Sequence, residues 1–172
     1  MSGADIAVTV AGGRWRQVLP EAEAIGRRAA AAALAEPGAA RAEGVPAPAE
    51  LAVVLGDDAL LHRLNRKYRH INRPTNVLSF AAFAAGEPRP PGPAPLGDVF
   101  VAFETVAAEA AQQDKTLAAH LSHLVVHGVL HLLGHDHEVA AEAEAMEALE
   151  RSVLGRLGFA DPYAPAPKEA AR

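Results

Sequence analysis

The chain has 172 residues, no cysteine and a formal net charge of −5. This length can bury the core of one ordinary domain, whereas the lack of cysteine excludes disulfides and thiolate metal ligands. The acidic balance argues against indiscriminate binding to nucleic acid, which requires clustered lysine and arginine. The N-terminal stretch MSGADIAVTV lacks the basic start and long apolar core of a signal peptide, so we expect a cytoplasmic protein with no membrane partner.

The first half of the chain contains two predicted strands and two predicted helices. Residues 5–10 and 50–55 are short apolar runs that contain valine pairs, which is typical of strands. A proline followed by two glutamates favours a helix start, and this helix is predicted over 20–35. Asp57 or Asp58 is placed to cap the next helix, in which three leucines share one side.

The second half contains two further predicted strands, at 76–80 and 97–103, and three predicted helices. A short helix is predicted near 104–113. A threonine can cap a longer apolar helix over 117–133, and a glycine ends it. The last helix is predicted over 138–157, because its apolar residues recur at helical spacing before a glycine and a proline.

Four short strands among about five helices predict an α+β fold with one mixed four-stranded sheet. We place this single domain over residues 1–160, with the helix 117–133 at its centre. The remaining residues, 161–172 (DPYAPAPKEAAR), are expected to form a disordered tail.

The predicted helix 117–133 is apolar on nearly all sides, except for one stripe of histidines. This stripe consists of His120, His123, His127 and His131. An imidazole carries a donor and an acceptor that both need partners, so burying a stack of unpartnered histidines is costly. A shared metal ion would satisfy them, and hydrogen-bonded core histidines without a metal are the alternative.

Three histidines form the pattern H-x-x-x-H-x-x-G-x-x-H, which is the ligand spacing of metzincin-type zinc enzymes. His127 and His131 lie one helical turn apart and can reach the same ion. Gly134 can take a left-handed conformation that turns the chain and brings His137 to the same point. The pattern predicts one Zn²⁺ per chain, held by His127, His131 and His137 with a fourth position open, although three imidazoles also suit nickel, copper or iron.

The position after the first histidine, where zinc proteases of this type carry a glutamate base, is Gly128. A general base contributes roughly 3 to 5 kcal/mol, whereas zinc lowers the pKa of water by an amount worth roughly 12 kcal/mol. Hydrolysis therefore stays feasible without the glutamate. We interpret the glycine as clearing space above the metal for a bulky phosphodiester.

Three further polar residues lie close to the three-histidine motif. We expect His123 to form a hydrogen bond behind the site rather than to bind the metal. His135 and Asp136 lie in the final loop, where each can contact the metal site. Asp136 can equally fix the turn or orient a ligand imidazole.

A second unusual stretch, RLNRKYRHINRPTNVLSF at 63–80, carries a cluster of fixed positive charges. These charges belong to Arg63, Arg66, Lys67, Arg69 and Arg73. Cations are common at a solvated helix end, where they meet the helix dipole favourably. Beside a metal site they suit the binding of a nucleic acid, since an arginine fork binds phosphate in a bidentate manner and Tyr68 can stack on a base.

The histidine motif HGVLHLLGHDH, the segment LNRKYRHINRPTNVLSF and LGDVFV at 96–101 resemble the YbeY family of bacterial endoribonucleases, which act in ribosomal RNA maturation. Weaker similarity through MEALERSVLGRLGF extends the resemblance over roughly 50–160. The resemblance implies that His127, His131 and His137 bind zinc and that Arg69 is catalytic. This family commonly has tyrosine at the position of His135.

The resemblance implies one YbeY-like metal-dependent endoribonuclease domain that acts on single-stranded RNA with zinc. Its implied roles are 16S rRNA 3'-end maturation and ribosome quality control. The implied partners are ribosomal RNA and the small ribosomal subunit, with ribosomal proteins and an assembly GTPase as further candidates.

Two alternatives remain open from the sequence. A metzincin-like metallopeptidase is supported only by the ligand spacing, and both Gly128 and the arginine-rich segment argue against it. A ribosome-assembly factor with a purely structural metal would need a fourth protein ligand in place of an open position.

Overall fold

The computed structural model describes residues 4–40, 48–84, 87–88 and 93–164, and its strands form one four-stranded sheet. The strands are β1 (Asp5–Val10), β2 (Ala49–Gly56), β3 (Val77–Ala81) and β4 (Ala94–Ala102). Their order is β1-β2-β4-β3, with β1, β2 and β4 parallel and β3 antiparallel to β4. The predicted α+β class and the mixed sheet are therefore confirmed.

Six helices accompany this sheet in the described part of the chain. They are α1 (Trp15–Val18), α2 (Ala22–Ala35), α3 (Asp58–Arg69), α4 (Phe103–Gln112), α5 (Leu117–Leu132) and α6 (Ala140–Arg156). Five of them correspond to the predicted helices, and where the prediction gave bounds the ends differ by at most two residues. None of the helices in these ranges has both the length and the apolar character needed to cross a membrane.

The short helix α1 and the start of β4 were not predicted, because tertiary contacts produce them. Trp15 is fully buried, and its indole N–H donates to the carbonyl of Gly56 at 2.9 Å. Four residues show no helical period, and so short a helix depends on such packing. Similarly, β4 begins at Ala94 because its parallel pairing with β2 already starts opposite Ala49.

Helix α5 lies at the centre of the domain, as its apolar pattern predicts, and packs against α2, α4, α6, β3 and β4. Leucines and valines on several sides of it are buried. The Thr116 hydroxyl caps its first turn by accepting the backbone N–H of Ala119 at 3.1 Å. Gly134 follows the helix with φ of 96°, which is the left-handed conformation expected there.

Helix α3 carries the basic segment to the edge of the sheet. Its N-terminus is capped by Asp57, whose side chain accepts the backbone N–H of Leu60 at 2.9 Å. At its other end His70 is left-handed, with φ of 60°, and turns the chain away from the helix. Arg69, the last residue of α3, is thereby placed next to β3.

Candidate metal centre

Three histidines from α5 and the loop after it converge in the structure. One nitrogen of each of His127, His131 and His137 lies within 4.8 Å of the others, and the Nε2 atoms of His127 and His131 are 3.1 Å apart. A tetrahedral zinc ion with Zn–N distances of about 2.0 Å separates two ligand nitrogens by about 3.3 Å. Because all the donors are imidazoles, the cluster fits zinc or a similar transition metal better than magnesium or calcium.

The cluster faces an open cavity of about 950 Å³. Tyr68, Arg69, Ser79 and Phe80 line this cavity together with the three histidines. His127 and His131 are half-buried, whereas His137 is exposed. The predicted metal ligands and the predicted catalytic arginine therefore border the same space, large enough for part of a polymeric substrate.

Arg69 is held in place on the cavity wall by two contacts. Its Nη2 donates to the backbone carbonyl of Ser79 at 2.8 Å, and its guanidinium carbon lies 5.2 Å from the centre of the Phe80 ring. A guanidinium has five N–H donors, and this side chain remains exposed. The contacts orient the side chain and leave donors available for a phosphate.

Glu150 of α6, which the sequence did not single out, lies directly behind the cluster. Its side chain is only 1% exposed, and Oε1 accepts hydrogen bonds from His127 Nδ1 at 3.2 Å and His123 Nε2 at 2.6 Å. Burial raises the pKa of this carboxyl, but the hydrogen bonds from the two histidines outweigh it and lower the pKa to about 2. Glu150 is thus an ionised, buried acceptor.

A sequence signal for Glu150 exists in the pattern of α6. The buried residues of this helix include Met146, Glu150 and Val153, which share one face at helical spacing. A glutamate on an otherwise apolar face requires a buried partner. The sequence does not reveal that the partner is a histidine of α5.

The remaining polar residues around the motif are placed outside the cluster. His123 forms a hydrogen bond to Glu150 rather than joining the three histidines, as expected. His135 Nε2 donates to the carbonyl of Ala39 at 2.7 Å, and Asp136 accepts the backbone N–H of His137 at 2.7 Å. Of the roles left open for Asp136, fixing the turn is the one that these contacts favour.

The interpretation of Gly128 as clearing space above the metal is wrong. A Cβ at this position would lie 2.6 Å from Val99 Cγ1 and 3.0 Å from Ser79 Oγ. The Ser79 hydroxyl also donates to the carbonyl of Gly128 at 3.1 Å. Position 128 faces the sheet, because it is rotated by about 100° around the helix from His127, and the glycine allows α5 to approach β3 and β4 closely.

His131 is neutral at physiological pH, which is the form that binds metals. Burial lowers its pKa, and the neighbouring His127 and His137 lower it further, to about 4. Burial also lowers the pKa of His120, against the opposing effect of its hydrogen bond to Glu109. Protonation of these two histidines therefore disfavours the folded state.

Acid is expected to destabilise the metal-free protein between about pH 6.5 and the folded pKa of His131. The unfolded chain binds a proton on this residue near pH 6.5, whereas the folded protein binds it only near pH 4. The unfolded state thus takes up more protons in this window, so the free energy of unfolding falls as the pH falls. Denaturant unfolding at pH values across the window measures this dependence.

His131→Asn is the matched variant for this measurement. It removes one titrating group and is expected to flatten the pH dependence of the free energy of unfolding. Part of the dependence remains, because the pKa of His120 is also lowered. An unchanged slope in His131→Asn would show that His131 does not contribute.

The fold and the site define an α+β domain with a zincin-like three-histidine cluster beside an arginine. The family described as Endoribonuclease YbeY matches residues 23–158. Two curated relatives, both named Endoribonuclease YbeY, come from Azorhizobium caulinodans and Paramagnetospirillum magneticum. The first is 52% identical to this chain, and the match covers 93% of this chain and 96% of the relative. The second is 53% identical, and the match covers 92% of this chain and 95% of the relative.

The chain belongs to the YbeY endoribonuclease family, so the resemblance inferred from its motifs is confirmed. The family match also extends further upstream than the region of resemblance noted in the sequence, and includes all of α2 except its first residue. The solution structure of TM1509 from Thermotoga maritima has a similar fold, with a TM-score of 0.51 and 20% identity over 93% of this chain and 99% of that chain.

Proposed function

We propose that this protein is a zinc-dependent endoribonuclease that cleaves single-stranded RNA. We further propose that it acts in the cytoplasm in 16S rRNA 3'-end maturation and ribosome quality control, with ribosomal RNA and the small ribosomal subunit as partners. Family membership supports the activity. The observation that carries the proposal is the common cavity bordered by the three-histidine cluster and Arg69.

His127, His131 and His137 are the residues that would hold the zinc ion. A bound zinc ion supplies a Lewis acid and lowers the pKa of water to about 7. Arg69 binds a phosphate oxygen through its free donors and neutralises the charge that develops there during cleavage. The contacts of Arg69 with Ser79 and Phe80 hold it in place for this task.

Tyr68 supports the preference for single strands. Its side chain is 54% exposed, lines the cavity and packs edge-on against Phe80, with ring centres 5.3 Å apart. Its neighbours in the chain are Lys67 and Arg69. The Nζ of Lys67 lies 5.1 Å from the centre of the Tyr68 ring, and the guanidinium of Arg69 lies over the adjoining Phe80 ring. An exposed aromatic ring with cations close by suits an unpaired base and its phosphates, whereas the bases of a duplex are already stacked.

Two alternatives have less support. A peptidase of the zincin type needs a glutamate at position 128, where even a Cβ would clash with Val99. An assembly factor with a structural metal needs a fourth protein ligand, and in the ranges that the structure describes the candidate cluster has three members.

The test compares cleavage of single-stranded RNA, double-stranded RNA and casein by the zinc-loaded protein and by the chelated protein. We expect cleavage of single-stranded RNA by the zinc-loaded protein alone. Tyr68→Ala is expected to weaken binding of the single strand by about 5- to 150-fold, since stacking contributes about 1–3 kcal/mol per base. Tyr68→Phe keeps the ring and serves as the control, and digestion of casein instead of RNA would overturn the proposal.

A further inference from the structure

We propose that Glu150, assisted by Tyr163, is a positioning residue that holds His127 in the tautomer and orientation that direct its Nε2 to a metal ion. This inference rests on the proposed function only in taking His127 as a metal ligand. It assigns a role in the site to α6 and to the segment after it, which lie outside the histidine motif.

The two nitrogens of the His127 ring have different partners. Nδ1 lies 3.2 Å from Glu150 Oε1, whereas Nε2 lies 3.1 Å from His131 Nε2. A carboxylate can only accept, so the single proton of the neutral ring is on Nδ1. Nε2 therefore carries a lone pair, and it points toward the nitrogen of the second histidine in the cluster.

Tyr163 completes the surroundings of the carboxylate. Its hydroxyl donates to Glu150, with distances of 2.9 Å to Oε1 and 3.0 Å to Oε2. Burial and the adjacent carboxylate raise the pKa of Tyr163, so the phenol stays protonated and continues to donate. With His123 and His127, Glu150 thus has three donors for one buried negative charge.

The segment that carries Tyr163 is fixed against α6. The backbone N–H of Tyr163 donates to Asp161 Oδ1 at 2.8 Å, and the guanidinium carbon of Arg151 lies 5.2 Å from the centre of the tyrosine ring. Asp161 also accepts from Arg151 Nε at 3.2 Å. The first residues of the predicted disordered tail, 161–164, therefore fold back over Glu150, and the rest of that tail lies outside the described residues.

Two roles for Glu150 can be distinguished: it can position His127, or it can serve only as a structural link between α5 and α6. A structural link needs only a filled and hydrogen-bonded space. Positioning requires an acceptor that discriminates between the two tautomers of His127. Partners of this kind behind a metal-binding histidine typically change metal affinity about 10- to 100-fold when they are replaced.

The experiment uses the full chain with Glu150→Gln, and with Glu144→Gln as the matched control, because Glu144 is an exposed glutamate of the same helix. Two quantities are measured: the zinc dissociation constant by competition with a chromophoric chelator, and the ¹⁵N shifts of the His127 ring in the metal-free protein. We expect Glu150→Gln to weaken zinc binding about 10- to 100-fold and to mix the two tautomers. Glu144→Gln is expected to match the wild type in both measurements.

Wild-type zinc affinity with an unchanged His127 tautomer in Glu150→Gln overturns the inference. If this variant does not fold, Glu150→Asp, which keeps the charge but shortens the side chain and withdraws the acceptor from His127 Nδ1, takes its place. Unchanged zinc affinity and ¹⁵N shifts in that variant overturn the inference as well. A wild-type protein that binds zinc but cleaves no RNA refutes the proposed function alone. Whether or not the protein cleaves RNA, the ¹⁵N shifts of the metal-free protein show whether Glu150 fixes the tautomer of His127.

Discussion

His131→Ala is expected to abolish stoichiometric zinc binding and to slow cleavage of single-stranded RNA by at least about 10³-fold, or about 4 kcal/mol. The middle histidine shares the short Nε2–Nε2 contact with His127. Its removal leaves two imidazoles, one of them on an exposed loop, which cannot retain an ion against buffer and water. Metal analysis of the purified protein, together with initial rates on a labelled oligonucleotide, measures both effects.

His62→Ala is the matched control for this experiment. His62 lies on α3, where its Nε2 lies within hydrogen-bond distance of Asn72, and it does not line the cavity. This variant is expected to keep one zinc ion per chain and the wild-type rate. If His131→Ala retained both zinc and activity, the cluster would not be the catalytic centre.

Arg69→Ala is expected to lower kcat by about 10²- to 10³-fold, which corresponds to about 3 to 4 kcal/mol of transition-state stabilisation. The variant should keep its zinc, because Arg69 is not one of the three candidate metal ligands. It should also keep most of its stability, since the side chain is exposed and its contact with the Phe80 ring contributes about 0.5–1 kcal/mol. Measurements of kcat, KM and zinc content at one fixed salt concentration separate these effects.

Two further variants sharpen the test of Arg69. Arg69→Lys keeps the charge but loses the planar fork, so we expect it to recover only part of kcat. Arg63→Ala removes a cation from the same helix that does not line the cavity, and it should change KM by a few-fold at most. An Arg69→Ala protein with wild-type kcat would show that Arg69 has no catalytic role. If the wild type and every variant cleaved RNA only at the background rate, the alternative of an assembly factor would be favoured.

Local patterns in the sequence were sufficient to predict that the three histidines cluster. His127 and His131 are one turn apart on one helix, and Gly134 turns the chain so that His137 follows within a few residues. Such geometry depends on backbone conformation over eleven residues, so distant parts of the chain are not needed to infer it. The apolar surroundings of the stripe likewise predicted a central helix, and α5 has that position.

The surroundings of the site could not be predicted in this way. Glu150 and Tyr163 meet His127 and His123 only because α6 and the following segment pack against α5. Gly128 illustrates the same limit, since its proximity to Val99 depends on how closely the helix approaches β4.

By itself, the sequence determined which histidines cluster, which residues begin and end the central helix, and which class of fold surrounds it. These features follow from the local spacing of residues and from capping, which act within one or two helical turns. Only the tertiary structure decided what lies behind the cluster and beside it: the carboxylate of Glu150, the sheet against Gly128 and the cavity shared with Arg69. Those contacts join residues that are far apart in the chain, and their geometry is set by the packing of helices and strands, which leaves no periodic pattern in the sequence.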